Sequence, residues 1–328
     1  MRSGVLRLLL STWACALVAA ADPVGPITTH FEEWLKSNGY GEFDYARRDL
    51  GEVGSYGGKQ DDHQEVQQTP IVFIHGNTDG ALKEPGPYSS GSSAQIAYFE
   101  SKGYTQAELY VTTWGNRRLD EAAYQAHNCS TLVRLRRFVE AVLKYTGKKA
   151  IHLSGHSMGV TLARKVAKGG KVTEKFNGNT CDLGPPLTEQ IDVFLGLCGA
   201  NYGMCACLAS TYTCNEINGF WPGDSCGSND SKMCGVKPLP EKCDQQNYSS
   251  LLYQMNNDGI REGQNVYALW TTVDDVVIPD DKVWGKYSSR FPTTDWEKAF
   301  TNYTHMQVKE LTVDLQYGLF THNRASRP

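Results

Sequence analysis

A chain of 328 residues with 40% apolar side chains can fill the core of one sizeable α/β domain. Its formal charge of -4 at pH 7, with 32 bases interspersed among 36 acids, leaves no basic stripe to follow a phosphate backbone. Nucleic acid is thereby excluded as a partner.

Residues 1–21 read as a cleaved signal peptide: Arg2 and Arg7 precede an apolar run over 8–18, and Ala19, Ala20 and Ala21 form a small-residue cleavage site before Asp22. The run is shorter than the roughly 20 residues that span a bilayer, and no later stretch could span one. The mature chain 22–328 is therefore expected to be secreted, as one domain without a transmembrane segment. Of the 10 cysteines, Cys15 falls in the leader; Cys129, Cys181, Cys198, Cys205, Cys207, Cys214, Cys226, Cys234 and Cys243 remain. An exported chain pairs such cysteines as disulfides, and the odd count leaves one free thiol. Cys198 is expected to be that thiol, because it ends an apolar run in which a cysteine serves as a small hydrophobe. Zinc is the rival reading of the cluster, opposed by the oxidising compartment and by the absence of histidine from it. Sequons at Asn128, Asn229, Asn247 and Asn302 agree with an exported glycoprotein.

The elements follow in chain order. Thr29 and Glu32 read as a capping box that opens a short helix with Phe31, Trp34 and Leu35 on one face, ended by Gly39. Residues 51–68, rich in Gly, Asp and Gln, read as loop. The apolar runs 70–74 and 109–114 predict strands. Ser130 reads as the cap of a helix carrying Leu132, Leu135, Val139 and Val142 that stops at Gly147. A strand over 150–154 and a helix over 160–168 follow, then strands over 191–197 and 266–270, a short one over 299–303, and one closing helix over 306–320 with Val308, Leu311, Leu315 and Leu319 on one side. Apolar strands alternating with helices predict a mostly parallel sheet with helices on both faces. Residues of about 204–245 interrupt the pattern as a disulfide-rich insertion, read equally well as a lid or as a stapled surface loop.

Within this frame, Gly155-His156-Ser157-Met158-Gly159 stands between a strand and a helix, which is the context of a nucleophile elbow. The turn lifts a serine hydroxyl above the sheet edge, at a helix N-terminus that favours developing negative charge. His75-Gly76-Asn77 follows the first apolar strand, where such a fold places an oxyanion loop. The backbone N–H groups of Asn77 and Met158 are therefore the expected oxyanion donors, with His75 a structural residue. A serine needs a histidine base, and the base needs a carboxylate to fix its tautomer. In the chain order serine, acid, histidine, Asp274 lies just past a strand and is preferred, with Asp275 as the alternative. Asp280 and Asp281 read as a solvated turn. His305 and His322 are the histidines that follow, and His305, in a loop before the last helix, is preferred. His152 and His156 lie too near the serine in sequence to act as its base; His30, His63 and His127 have no evident partner.

The ordered set His75-Gly76, Gly155-His156-Ser157-Met158-Gly159, Gly199-Ala200-Asn201, Asp274-Asp275-Val276-Val277 and His305 resembles the class 2 lipases, a family of small bacterial triacylglycerol lipases and their secreted nematode relatives. The likeness runs over about 70–319, and the leader with residues 31–58 resembles the nematode branch. The resemblance implies the α/β-hydrolase fold and hydrolysis of lipid or other carboxylic esters. It also implies Ser157, Asp274 and His305 as a triad, no metal or organic cofactor, and transient contact with a lipid interface. The compact bacterial members have no long cysteine-rich insert, so chain-length preference does not carry over. A soluble-ester esterase or acyltransferase would share the triad, and a non-catalytic binding protein could share the fold.

Overall fold

A computed structural model describes residues 22–207, 212–221, 248–277, 281–283 and 286–321. The leader, most of the cysteine-rich insertion, Asn229, Asn247, Asp280 and His322 lie outside the described residues.

Eleven strands are described: β1 (Ser55–Tyr56), β2 (Ile71–Ile74), β3 (Leu109–Thr112), β4 (Ile151–His156), β5 (Lys171–Thr173), β6 (Thr180–Asp182), β7 (Ile191–Leu197), β8 (Asn265–Thr271), β9 (Lys282–Val283), β10 (Lys286–Tyr287) and β11 (Trp296–Phe300). Seven form one sheet in the order β1-β3-β2-β4-β7-β8-β11; β5–β6 and β9–β10 are small ribbons. Every pairing in the large sheet is parallel except that of the edge strand β1 with β3. The continuous apolar character of β2 has its reason here, because it is buried along its whole length; β4 is equally buried and takes its polar His152, Ser154 and His156 inside with it.

The helices are α1 (Thr29–Ser37), α2 (Ser93–Glu100), α3 (Cys129–Thr146), α4 (Met158–Lys168), α5 (Ser250–Asn257), α6 (His305–Leu311) and α7 (Val313–Phe320). On one side α3 packs against α1 and α4, and α4 against α5; on the other, α2 packs against α6 and α7. The chain starts its parallel run at β2, lays β3 on one side, then crosses to β4 on the other. That reversal of direction leaves a crevice beyond the carboxyl ends of the strands, where α/β sheets bind ligands. Asn77, Ser157, Cys198, Asp274 and His305 all follow the carboxyl ends of sheet strands: β2, β4, β7, β8 and β11.

Several local expectations need correction. The cap of α1 is Thr28, whose hydroxyl accepts from Phe31 N at 3.2 Å, so Thr29 lies inside the helix. Asn128, not Ser130, occupies the cap position of α3. Residues 51–68 hold β1, a two-residue edge strand with too little apolar content to register as periodicity. The closing helix is two helices: at Thr312 the backbone leaves helical geometry (φ -112°, ψ 20°), and Leu311 is 53% exposed instead of facing the core. Among the described cysteines, Cys129 pairs with Cys181 and Cys207 with Cys214, Cys205 is also disulfide-bonded, and Cys198 is free and buried.

Candidate active site

Ser157 sits between β4 and α4 with φ 56° and ψ -129°, a conformation that an L-residue holds only when its surroundings over-determine it. Two glycines make the turn possible. A Cβ on Gly155 would lie 2.4 Å from Gly159 O, and one on Gly159 would lie 2.2 Å from Ile74 O. Gly76 answers from β2's loop, where a Cβ would come within 2.9 Å of the Ser157 Cβ. Ser157 N donates to Leu197 O at 2.9 Å, pinning the elbow to the end of β7.

His305 is the first residue of α6, and its position is set by Thr304, which forms a capping box with Gln307. Its Nδ1 lies 2.8 Å from Asp274 Oδ2 and 3.0 Å from Oδ1. Asp274 is in turn held by Val276 N at 2.9 Å and Val277 N at 2.7 Å, both donating to Oδ1. Asp275 makes a different contact: its Oδ1 accepts from the His305 backbone N at 2.9 Å. One acid therefore orients the ring and its neighbour anchors the main chain beneath it. Both the ring and Asp274 are buried, and His305 Nε2 has no hydrogen-bond partner among the described residues. With Nδ1–H given to the carboxylate, Nε2 keeps its lone pair free to accept a proton.

Ser157 and His305 line one cavity of about 370 Å³. Its walls are mostly apolar: Leu119, Ala122, Ala123, Met204, Phe220, Val276, Val277 and Met306, with Asn77 and Met158 beside the serine. Met158 N opens α4 and has no acceptor within the helix. The Asn77 side chain is occupied elsewhere, donating through Nδ2 to Ala122 O at 2.9 Å. The Cys207–Cys214 disulfide and Phe220 form part of the wall, so the described portion of the insertion covers this cavity. Tyr88 and Leu119 line it while remaining 39% and 56% exposed, which places them at its rim.

Four further histidines have structural partners. His75 stacks on Trp114 with ring centroids 5.0 Å apart, its Nδ1 is 2.7 Å from Gly76 O, and its Nε2 accepts from Trp114 N at 3.0 Å. Burial lowers its pKa to about 4, so it is neutral. Burial likewise holds His156 well below the usual range; its Nε2 is 3.2 Å from His305 O. His127 bridges Asn218 O and Thr161 Oγ1, at 2.9 and 2.7 Å, and His30 contacts the Tyr145 hydroxyl at 2.6 Å.

Three buried groups escaped the sequence reading. Lys309, one turn after His305, reaches Asp79 Oδ2 at 2.7 Å; both side chains are at most 3% exposed. Because Asp79 also accepts from Gly80 N and Gly91 N, this pair ties the loop after β2 to the helix that carries the ring. Arg164 in α4 is fully buried against Glu262 at 2.8 Å and also donates to Asn201 Oδ1, Asn256 Oδ1 and Met255 O. Asn201, noted in the sequence motif, is thus a structural link between α4 and the loop after β7. Asp281 is no surface acid: it is fully buried and accepts from Ser289 N and Oγ, and burial raises its pKa well above the ordinary value. The Thr304–Gln307 box was visible as a Thr-x-x-Gln pattern; the lone bases and acids carried no such signal.

The family profile described as Lipase (class 2) matches residues 68–318. The chain belongs to the class 2 lipase family. As a member it is a hydrolase acting on esters, with the α/β-hydrolase fold that the parallel sheet and the elbow display. No curated protein sequence matches the chain. Among solved structures it is similar to an α/β hydrolase from a sediment metagenome of the Mar Chica lagoon, Morocco: 15% identity, 79% of this chain and 93% of that one, TM-score 0.41. It is also similar to Aspergillus fumigatus lipase B, at 10% identity over 82% of this chain and 56% of that one, with a TM-score of 0.47. A third likeness is to the mature form of Bacillus licheniformis lipase BlEst2, at 12% identity over 81% and 97%, with a TM-score of 0.43.

Proposed function

We propose that the chain is a secreted lipase that hydrolyses acylglycerol esters with Ser157 as nucleophile, His305 as general base and Asp274 as its orienting acid. The observation that carries the reading is the His305 ring itself: Nδ1 held by Asp274, Nε2 unpartnered, and the ring lining the same apolar cavity as the strained Ser157. In the first half-reaction His305 Nε2 takes the Ser157 proton as Oγ attacks the ester carbonyl, and Asp274 stabilises the imidazolium. The oxyanion accepts from the Asn77 and Met158 backbone N–H groups, an arrangement whose donors are each worth about 10²–10³ in rate. Imidazolium then protonates the departing alkoxide, leaving an acyl-serine, and water activated by the same base releases the acid.

The apolar cavity suits an acyl chain better than a polar acid. Exposed Tyr88 and Leu119 at its rim, with Tyr124 nearby at 66% exposure, support transient contact with a lipid surface. Export is supported by the leader pattern in 1–21 and by the disulfides. The test is hydrolysis by residues 22–328, made in a disulfide-competent host, of p-nitrophenyl butyrate and of a triolein emulsion, with Ser157→Ala as control. Emulsion activity that vanishes in the variant supports a lipase, and butyrate activity alone moves the assignment to a soluble-ester esterase. Folded protein that turns over neither substrate overturns the catalytic reading.

A further inference from the structure

We propose that Cys198, Asp274 and His305 form a binding site for a soft divalent cation, of the zinc or cadmium kind, and that its occupancy shuts off the active site. The binding claim stands on geometry alone; the inhibition claim rests on the triad reading above.

The three residues close adjacent parallel strands: Cys198 directly follows β7, Asp274 lies beyond β8, and His305 beyond β11. One ligand atom from each lies within 4.8 Å of the other two, and all three residues are buried. A tetrahedral ion with metal–ligand bonds of about 2.0–2.3 Å holds its ligands roughly 3.3–3.6 Å apart, so the widest separation has to close by little more than about 1 Å, and a nitrogen–carboxylate contact at Nδ1, now 2.8 Å, has to open by roughly 0.5 Å. Thiolate, imidazole and carboxylate together are a donor set that zinc and cadmium accept and that magnesium, which demands oxygen ligands, does not. Cys198 is also the single free cysteine among the described residues, where Cys129, Cys181, Cys205, Cys207 and Cys214 are disulfide-bonded. Its backbone is held at φ 49°, a left-handed conformation that a non-glycine residue keeps only when the structure around it imposes one. Of the three residues, His305 is the one that lines the cavity.

The chemistry is substitution without electron transfer. The ion displaces the thiol proton to solvent and forms bonds to Sγ, a carboxylate oxygen and one imidazole nitrogen. Either nitrogen disables the base. Coordination at Nε2 occupies the lone pair that would accept the Ser157 proton, whereas coordination at Nδ1 leaves the remaining ring proton on Nε2.

The first readout is independent of activity. Cadmium added to the Ser157→Ala protein is expected to produce the ultraviolet thiolate-to-cadmium band at one ion per chain. The band should be absent from Ser157→Ala/Cys198→Ala, and half-saturation should weaken at least about tenfold in Ser157→Ala/His305→Ala. The second readout is p-nitrophenyl butyrate hydrolysis, each protein scaled to its own metal-free rate. Zinc and cadmium should inhibit the wild type while magnesium does not, and the half-inhibitory concentration should rise at least about tenfold in Cys198→Ser. Absence of the band in Ser157→Ala, its survival without Cys198, or equal inhibition of wild type and Cys198→Ser overturns the proposal. Should the wild type hydrolyse nothing, the triad reading fails, and the cadmium band still decides the site.

Discussion

Replacing Asp274 by asparagine tests the candidate triad most sharply, because the surroundings leave the new amide no choice of orientation. Oδ1 of Asp274 accepts from Val276 N and Val277 N, and Oδ2 faces His305 Nδ1. In Asp274→Asn the amide oxygen must stay on the two backbone donors, since an NH2 group there would leave both unpaired at about 1–3 kcal/mol each. The NH2 group then faces Nδ1 and turns it into an acceptor, which puts the ring proton on Nε2. A base protonated at Nε2 cannot receive the serine proton, and the cost of this tautomer error is about 10⁴ in kcat, or about 5.5 kcal/mol in the barrier. Asp275→Asn is the matched control. Its contact is with the His305 backbone N–H, to which an amide oxygen can still serve as acceptor, so a loss below about tenfold is expected. Steady-state hydrolysis of p-nitrophenyl butyrate by both variants, alongside their denaturation midpoints, makes the comparison. Near-normal kcat in folded Asp274→Asn, or equal losses in the two variants, would refute the reasoning.

Breaking the buried Asp79–Lys309 pair through either Asp79→Asn or Lys309→Met should cost about 3–5 kcal/mol in denaturant unfolding, because one charge is left uncompensated. The double variant should recover part of that loss, and additive losses would show that the pair is not coupled. Gly159→Ala should destabilise the protein by about 3 kcal/mol or prevent folding, since its Cβ meets the Ile74 and His75 carbonyls at 2.2 and 2.5 Å. A variant of wild-type stability would contradict the packing at the elbow. Acid should weaken the fold through His75 and His127, both depressed to about 4 by burial. The unfolded chain binds protons at these sites from about pH 6.5 downward while the folded one resists until about pH 4. Each therefore contributes stability that is complete above pH 6.5 and is lost toward pH 4, by up to about 1.4 kcal/mol per pH unit. Unfolding midpoints measured across that window should fall, and His127→Gln should flatten the slope.

Local chemistry wrote much of this protein into its sequence. Buried parallel strands are rich in apolar residues, so β2, β4, β7 and β8 were legible to within two residues at each end. The tight turn at Ser157 tolerates only glycine at 155 and 159, and so it prints a pattern that survives without any knowledge of the sheet. Elements whose reason is tertiary left no such trace. The edge strand β1 exists because β3 offers it a partner, and the closing segment breaks at Thr312 as a consequence of packing that periodicity does not encode. Asp274 and Asp275 are adjacent and identical in type, and the sequence favours Asp274 only by its order after the strand. Only the register of Val276 N and Val277 N against one carboxylate, and of the His305 main chain against the other, separates the ring's partner from the backbone's. The same holds for Asp79 with Lys309, 230 residues apart, and for Cys198 beside Asp274 and His305. Sequence specifies which groups are present and how each short segment folds. Which charge meets which, and which thiol lies beside which imidazole, is decided where the strand ends converge, because those contacts join residues that local conformation never brings together.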